Sequence, residues 1–188
     1  MTKNADSTLY TICVYSENHV GLLNQLSIIF TRRCVNIESV SASRCSIPGV
    51  HKITITCHSN SAMMDRIQKQ IAKRIDVIKA FVYTDSEIVY QEVALYKVPT
   101  QRLLDQQQME QIIRRHGARI LELTKDYTVL EKTGHFYETE SLFNELKRYG
   151  IVQFVRSGRV AVTKSPLEPV NDYLEQRSHQ EKSSNHNH

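Results

Sequence analysis

Between Glu17 and Ser39 the chain reads ENHVGLLNQLSIIFTRRCVNIES, and Asn18, Gly21, Leu22 and Asn36 within it are of types and spacing suited to holding a small zwitterion. A β-branched and aromatic run from Leu9 to Tyr15 ends in a short polar loop, which enters an amphipathic helix through Gly21. The first turn of a helix leaves backbone N–H groups without partners, and the macrodipole adds positive potential there, so such a junction favours an anion. Gly21 has no Cβ and lets a ligand approach the backbone. Asparagine side chains satisfy an ammonium group, and a small apolar wall selects an aliphatic side chain. The same residues also fit a simpler account, with Asn18 as a helix cap and Asn36 as a turn residue. Spacing alone does not separate the two.

Chemistry beyond binding has no candidates. The sequence contains no GxxxxGK[ST] phosphate loop, no GxGxxG, no HExxH and no GxSxG. Its acidic residues are scattered over helix starts and strand positions, so no carboxylate pair stands out as an acid–base couple. His19 lies in the loop, but no nucleophile or orienting acid stands near it in sequence, and it reads as a polar loop residue. The four cysteines, Cys13, Cys34, Cys45 and Cys57, form no CxxC pair and no metal-ligand spacing with histidine. Catalytic and metal-binding residues are therefore both expected to be none.

Charge excludes little else. Twenty-four basic and 20 acidic residues give +4, a mild excess. The pairs Arg32-Arg33, Arg114-Arg115 and Lys147-Arg148 each end a predicted helix, where cations complement the macrodipole. No nucleic-acid partner is expected. With no apolar run of membrane-spanning length and no signal peptide ahead of the first strand, a reduced cytoplasmic compartment is expected and no membrane partner.

The elements that must position the loop are written twice. In residues 8–84 a strand with Tyr10, Ile12 and Val14 on one face precedes a helix bearing Leu22, Leu26, Ile29 and Phe30. A strand from Asn36 to Arg44, a turn at Pro48-Gly49 and an alternating strand from His51 to His58 follow. Asn60 or Ser61 caps a helix carrying Met63, Ile67 and Ile71, and Asp76 to Thr84 closes the unit. After a polar connector at Asp85 to Tyr90, residues 90–164 repeat the order. They give a strand at Glu92–Val98, a helix with a capping box at Asp105 and Gln108 and a stop at Gly117, and a hairpin around Lys125-Asp126. A helix ending at Gly150 and a last strand, or a bent pair around Ser157-Gly158, complete it. The fold class is α+β: two tandem ferredoxin-like βαββαβ domains, antiparallel sheets with helices on one face. Each sheet keeps one face without helices, and domains of this size bury limited surface, so a homodimer is expected. Residues 165–188 read as a disordered tail, with a short helix at Asp172 to Arg177.

Asn18, Gly21, Leu23, Phe30, Arg33 and Asn36-Ile37-Glu38-Ser39 resemble the N-terminal ACT domain of the small, regulatory subunit family of acetolactate synthase (acetohydroxyacid synthase). Glu92-Val93-Ala94-Leu95-Tyr96-Lys97-Val98 looks like the opening strand of the family's C-terminal domain, and Ile151-Val152 with Arg156-Ser157-Gly158 and Val160 looks like its closing segment. The resemblance implies a non-catalytic chain that binds the large catalytic subunit, raises its activity and confers feedback inhibition by valine. The partner joins two pyruvates into acetolactate and CO2, opening branched-chain amino-acid synthesis. Thiamine diphosphate, Mg²⁺ and FAD are implied in that partner, with no cofactor in this chain. By the same resemblance Asn18, Gly21 and Leu22 contact valine from one chain and Asn36 from the other, with Asn24 and Ser43 around the site. A free-standing ACT-type amino-acid sensor acting on another enzyme is the alternative. Cys34 stands where the family has glycine, Gln25 where it has arginine, and Val35 where it has an aromatic residue.

Overall fold

In a computed structural model the described residues are 7–104, 108–167, 170–171 and 175. The chain divides into two compact units: one takes the chain up to Val89 and again from Ala161, the other is Tyr90–Val160. The capping box anticipated at Asp105 lies outside the described residues, as does most of the helix expected over Asp172 to Arg177.

The first unit runs β1 (Thr8–Glu17), α1 (Leu22–Thr31), β2 (Ile37–Arg44), β3 (Val50–Ser59), α2 (Ser61–Ala72) and β4 (Val77–Tyr83). Its antiparallel sheet has the order β2-β3-β1-β4. Register places Ile12 opposite Ile55 and Val14 opposite Ile53. These four residues pack under Leu22, Leu26, Ile29 and Phe30 of α1 and Met64, Ile67 and Ile71 of α2. The i, i+4, i+7, i+8 stripe of α1 is thus the buried stripe, as its periodicity requires. Asn60 caps α2, its side chain accepting the Met63 N–H at 2.9 Å.

Cys34 has φ of 54°, the one positive value among the described non-glycine residues. Val35 N–H donates to the Phe30 carbonyl and Cys34 N–H to that of Thr31, both at 3.1 Å, which is the Schellman ending normally built on glycine. Gly117 does the same for its helix, with φ of 59° and Ala118 N–H donating to Ile113 at 2.9 Å. A left-handed non-glycine residue costs about 1–2 kcal/mol, while glycine loses about 0.5–1 kcal/mol more backbone entropy on folding. Cys34→Gly is accordingly expected to stabilise the protein by about 0.5–1 kcal/mol, read as a higher urea midpoint at unchanged slope.

The sheet face away from the helices carries Thr11, Cys13 and Tyr15 on β1 opposite Thr56, Thr54 and Lys52 on β3. The stretch past Ser165, expected as a tail, sends Val170 into this face, where it is fully buried in a cluster with Cys13, Tyr15 and Val50. Lys52 Nζ donates to the Ala161 carbonyl at 2.6 Å and lies over the Tyr15 ring.

Next come β5 (Ile88–Pro99), α3 (Thr100–Leu104), α4 (Gln108–His116), β6 (Arg119–Leu123), β7 (Tyr127–Gly134), α5 (Phe136–Leu146), β8 (Gln153–Arg156) and β9 (Val160–Thr163). The sheet order β6-β7-β5-β8 repeats that of the first unit, and β9 also pairs with β5. The segment expected as a last strand or a bent pair is therefore the bent pair. β5 starts earlier than expected, inside the anticipated connector: Ile88 is buried and Lys164 N–H donates to the Glu87 carbonyl at 3.0 Å, which extends the ladder. The second core gathers Ala94, Tyr96, Ile112, Leu130, Leu142, Leu146 and Tyr149. Burial pushes the Tyr96 phenol well above its ordinary pKa, and its hydroxyl donates to the Thr139 carbonyl at 2.7 Å.

Candidate ligand-binding site

β1 delivers the chain to the loop at Asn18, and α1 leaves it at Leu22. Gly21 caps the helix with φ of 88°, and no side chain caps it in its place. A Cβ built on Gly21 would meet nothing within 4 Å, so the space over the junction is open. Leu22 N–H reaches only the His19 carbonyl, at 3.5 Å, and the first full helical bond is Gln25 N–H to Gly21 at 3.0 Å. The junction therefore offers backbone donors beside a glycine, with no acidic residue in the first turn to repel an anion.

The side chains distribute differently from their roles in the sequence reading. Leu22 is buried in the core, so its side chain cannot serve as a wall; what it presents to the loop is its N–H. Val20, fully exposed, and Leu23, half-exposed, are the apolar groups at the junction, and neither was among the candidates. Leu23 falls off the buried stripe by one position, a signal the periodicity already carried. Asn24 lies exposed in the first turn, its carbonyl accepting the Ser27 hydroxyl at 2.8 Å. Ser43 pairs with Lys52, which pairs with Tyr15, so Ser43 stands at the same end of the sheet as the loop.

Asn36 is not brought to the others. It precedes Ile37, which pairs with Cys57, and Cys57 pairs with Tyr10, so Asn36 lies level with the start of β1. Asn18 follows Glu17 at the other end of that strand. At about 3.3 Å per residue the two ends of the ten-residue β1 are roughly 30 Å apart. Asn36 is exposed and heads β2, an edge strand of the sheet.

The loop has one further feature that the sequence did not reveal. His19 Nδ1 lies 2.6 Å from Asp76 Oδ1, a partner 57 residues away, and Nε2 lies 3.7 Å from Glu17 Oε2. The hydrogen bond to Asp76 and its negative charge raise the His19 pKa above its ordinary value. No group of three or more histidine, cysteine or acidic residues placed to hold a metal occurs among the described residues, and no helix there is long and apolar enough to cross a membrane.

A glycine-opened strand–helix junction on a βαββαβ unit, followed by a second unit of the same order, defines a tandem ACT-type protein. Residues 12–79 match the family described as AHAS small subunit-like ACT domain, and residues 91–165 match the family described as small subunit of acetolactate synthase. The acetolactate synthase small subunit of Bacillus subtilis is 34% identical over 148 residues, covering 77% of this chain and 84% of that protein. That of Mycobacterium bovis is 28% identical over 157 residues, covering 84% and 93%. The crystal structure of the small subunit from Thermotoga maritima superposes with a TM-score of 0.76 over 85% of this chain and 99% of its own, at 23% identity, and shows the same fold. The chain belongs to the acetolactate synthase small-subunit family.

Proposed function

We propose that this protein is a non-catalytic regulator that binds the thiamine-diphosphate-dependent catalytic subunit of acetolactate synthase in the cytoplasm, raises its activity and makes it sensitive to valine. Thiamine diphosphate, Mg²⁺ and FAD belong to that partner. The effector site is shared between two copies: Asn18, Gly21 and the Leu22 N–H from one chain, Asn36 from the other, with Asn24 and Ser43 at the margin. The observation that carries this reading is the separation of Asn36 from Gly21 along β1, together with the position of Asn36 on an exposed sheet edge. Residues that act on one ligand but sit at opposite ends of a domain fit a two-fold arrangement, in which each patch meets its complement on the second copy. The Gly21 and Leu22 amides take the ligand carboxylate, the two asparagines its ammonium, and Val20 and Leu23 its aliphatic side chain.

Regulation then follows from differential affinity. Valine bridging two chains favours one dimer arrangement, and the catalytic subunit is biased only as far as valine distinguishes that arrangement from others. An acetolactate assay of the cognate catalytic subunit, with and without this protein, across a valine titration is expected to show activation without valine and progressive loss with it. Unchanged activity on adding this protein would refute the regulatory role; activation that valine leaves untouched would refute the choice of effector.

A further inference from the structure

The loop between β1 and α1 is fastened at His19. His19 stands between two carboxylates, 2.6 Å from Asp76 and 3.7 Å from Glu17. The backbone repeats the connection: Glu17 N–H donates to the Asp76 carbonyl and His19 N–H to that of Glu17, both at 3.1 Å. Past His19, Val20 is fully exposed, Gly21 is left-handed and α1 has no side-chain cap. His19 is therefore the last side chain tied to the sheet before the amides of Gly21 and Leu22, and its own carbonyl receives the Leu22 N–H.

We propose that His19 is a positioning residue for the effector site: its imidazolium, held between Asp76 and Glu17, fixes the loop so that the Gly21 and Leu22 N–H groups donate to a carboxylate, and effector affinity falls as pH rises through neutrality. This rests on the effector reading given above. Neutral imidazole keeps one hydrogen bond to Asp76 but loses its attraction to both carboxylates. The Asp76 carboxylate then loses its cationic neighbour, and the loop is left with a neutral hydrogen bond where it had a charge-assisted one. Because Asp76 raises the His19 pKa, the imidazolium persists above the ordinary histidine value. The fastening is complete below that ordinary value and is lost as pH rises through the raised one.

Other ionisable groups near this end of the sheet include Arg74, in the same turn as Asp76, His51, paired with Ser16 and Arg44, and Lys52 and Lys79, both opposite Tyr15. His51 is a second histidine at this end of the sheet and needs its own control. Glu87, Glu131 and Glu145, whose hydrogen bonds lower their pKa values, charge far below neutrality.

Calorimetric titration of the full chain with valine from pH 5.5 to 8.5 tests this. Wild type is expected to weaken on the order of tenfold over that range, with the same slope in His51→Gln. His19→Gln and Asp76→Asn are expected to bind weakly with a flat profile. By reciprocity, saturating valine is expected to move the His19 titration, followed by NMR, to higher pH. An exposed ion pair with no positioning role would shift stability slightly and leave these profiles alone. A pH-independent affinity in wild type, or the wild-type slope retained in His19→Gln, overturns this inference and leaves the effector site standing. No valine binding by wild type at any pH overturns the effector reading, and this inference with it.

Discussion

Gly21→Asp is expected to abolish the response to valine while leaving the fold intact. The position tolerates the change sterically, because a Cβ there meets nothing within 4 Å. It is strained by φ of 88°, at about 1–2 kcal/mol, and aspartate is among the residues that accept this conformation best. The new carboxylate stands where the ligand's carboxylate is proposed to lie. Two like charges about 4 Å apart repel by about 1 kcal/mol in water and about 4 kcal/mol near a protein surface. At about 1.4 kcal/mol per decade, the loss in valine affinity is on the order of 100-fold. Calorimetry of the isolated chain reads it directly, and circular dichroism checks the fold.

Two controls isolate the cause. Gly21→Ala carries the backbone strain without the charge and is expected to keep most of the affinity. Mixing Gly21→Asp with Asn36→Ala, each inactive alone, is expected to restore binding at about a quarter of the pockets, because random pairing leaves one pocket of each mixed dimer with both wild-type patches. Absence of restoration would show that Asn36 and Gly21 do not share a pocket. Full valine sensitivity of Gly21→Asp would place the pocket elsewhere.

The sequence was most informative where structure depends on neighbours within one turn or one strand. The α1 stripe, the Asn60 cap, the glycine endings at Gly117 and Gly150 and the hairpin at Lys125-Asp126 all follow from spacing of a few residues. Cys34 stood out only through the family resemblance, which has glycine there, and the left-handed ending is kept with cysteine in its place. The misses involve partners far apart in sequence. Nothing near His19 announces Asp76, nothing in the tail announces that Val170 meets Tyr15, and Ile88 joins β5 only because the chain returns beside it at Lys164. For the candidate site, the residue types were legible, but which part of each faces the ligand was not. Leu22 fits both the core stripe and the loop, and only its burial decides that its N–H rather than its side chain is on offer.

The same limit hides the second large effect, at Glu92. It reads as an ordinary strand residue, yet it faces the helices of the second unit and is nearly buried. Its carboxylate lies 3.5 Å from Arg159 Nε and 3.7 Å from Arg156 Nε. Arg159 is itself buried and covers the Tyr90 ring at 3.7 Å, while Arg156 has a second acidic partner in Glu140 at 2.8 Å. Glu92→Ala thus removes one carboxylate from beside both arginines, of which Arg156 keeps Glu140. Removing one member of a buried pair costs about 3–5 kcal/mol, mostly from the charge left behind. A whole domain is stable by about 5–15 kcal/mol, and a unit of this size stands toward the low end. Glu92→Ala is therefore expected to unfold the second unit at a markedly lower urea concentration, or at 37 °C without urea, followed by circular dichroism because the chain has no tryptophan. The double variant Glu92→Leu with Arg159→Leu removes both charges and is expected to recover most of the loss, since an apolar replacement of a buried pair is often neutral or better. If the double variant were as unstable as Glu92→Ala, the cost would lie in packing beneath α5 rather than in the lost charge pairing.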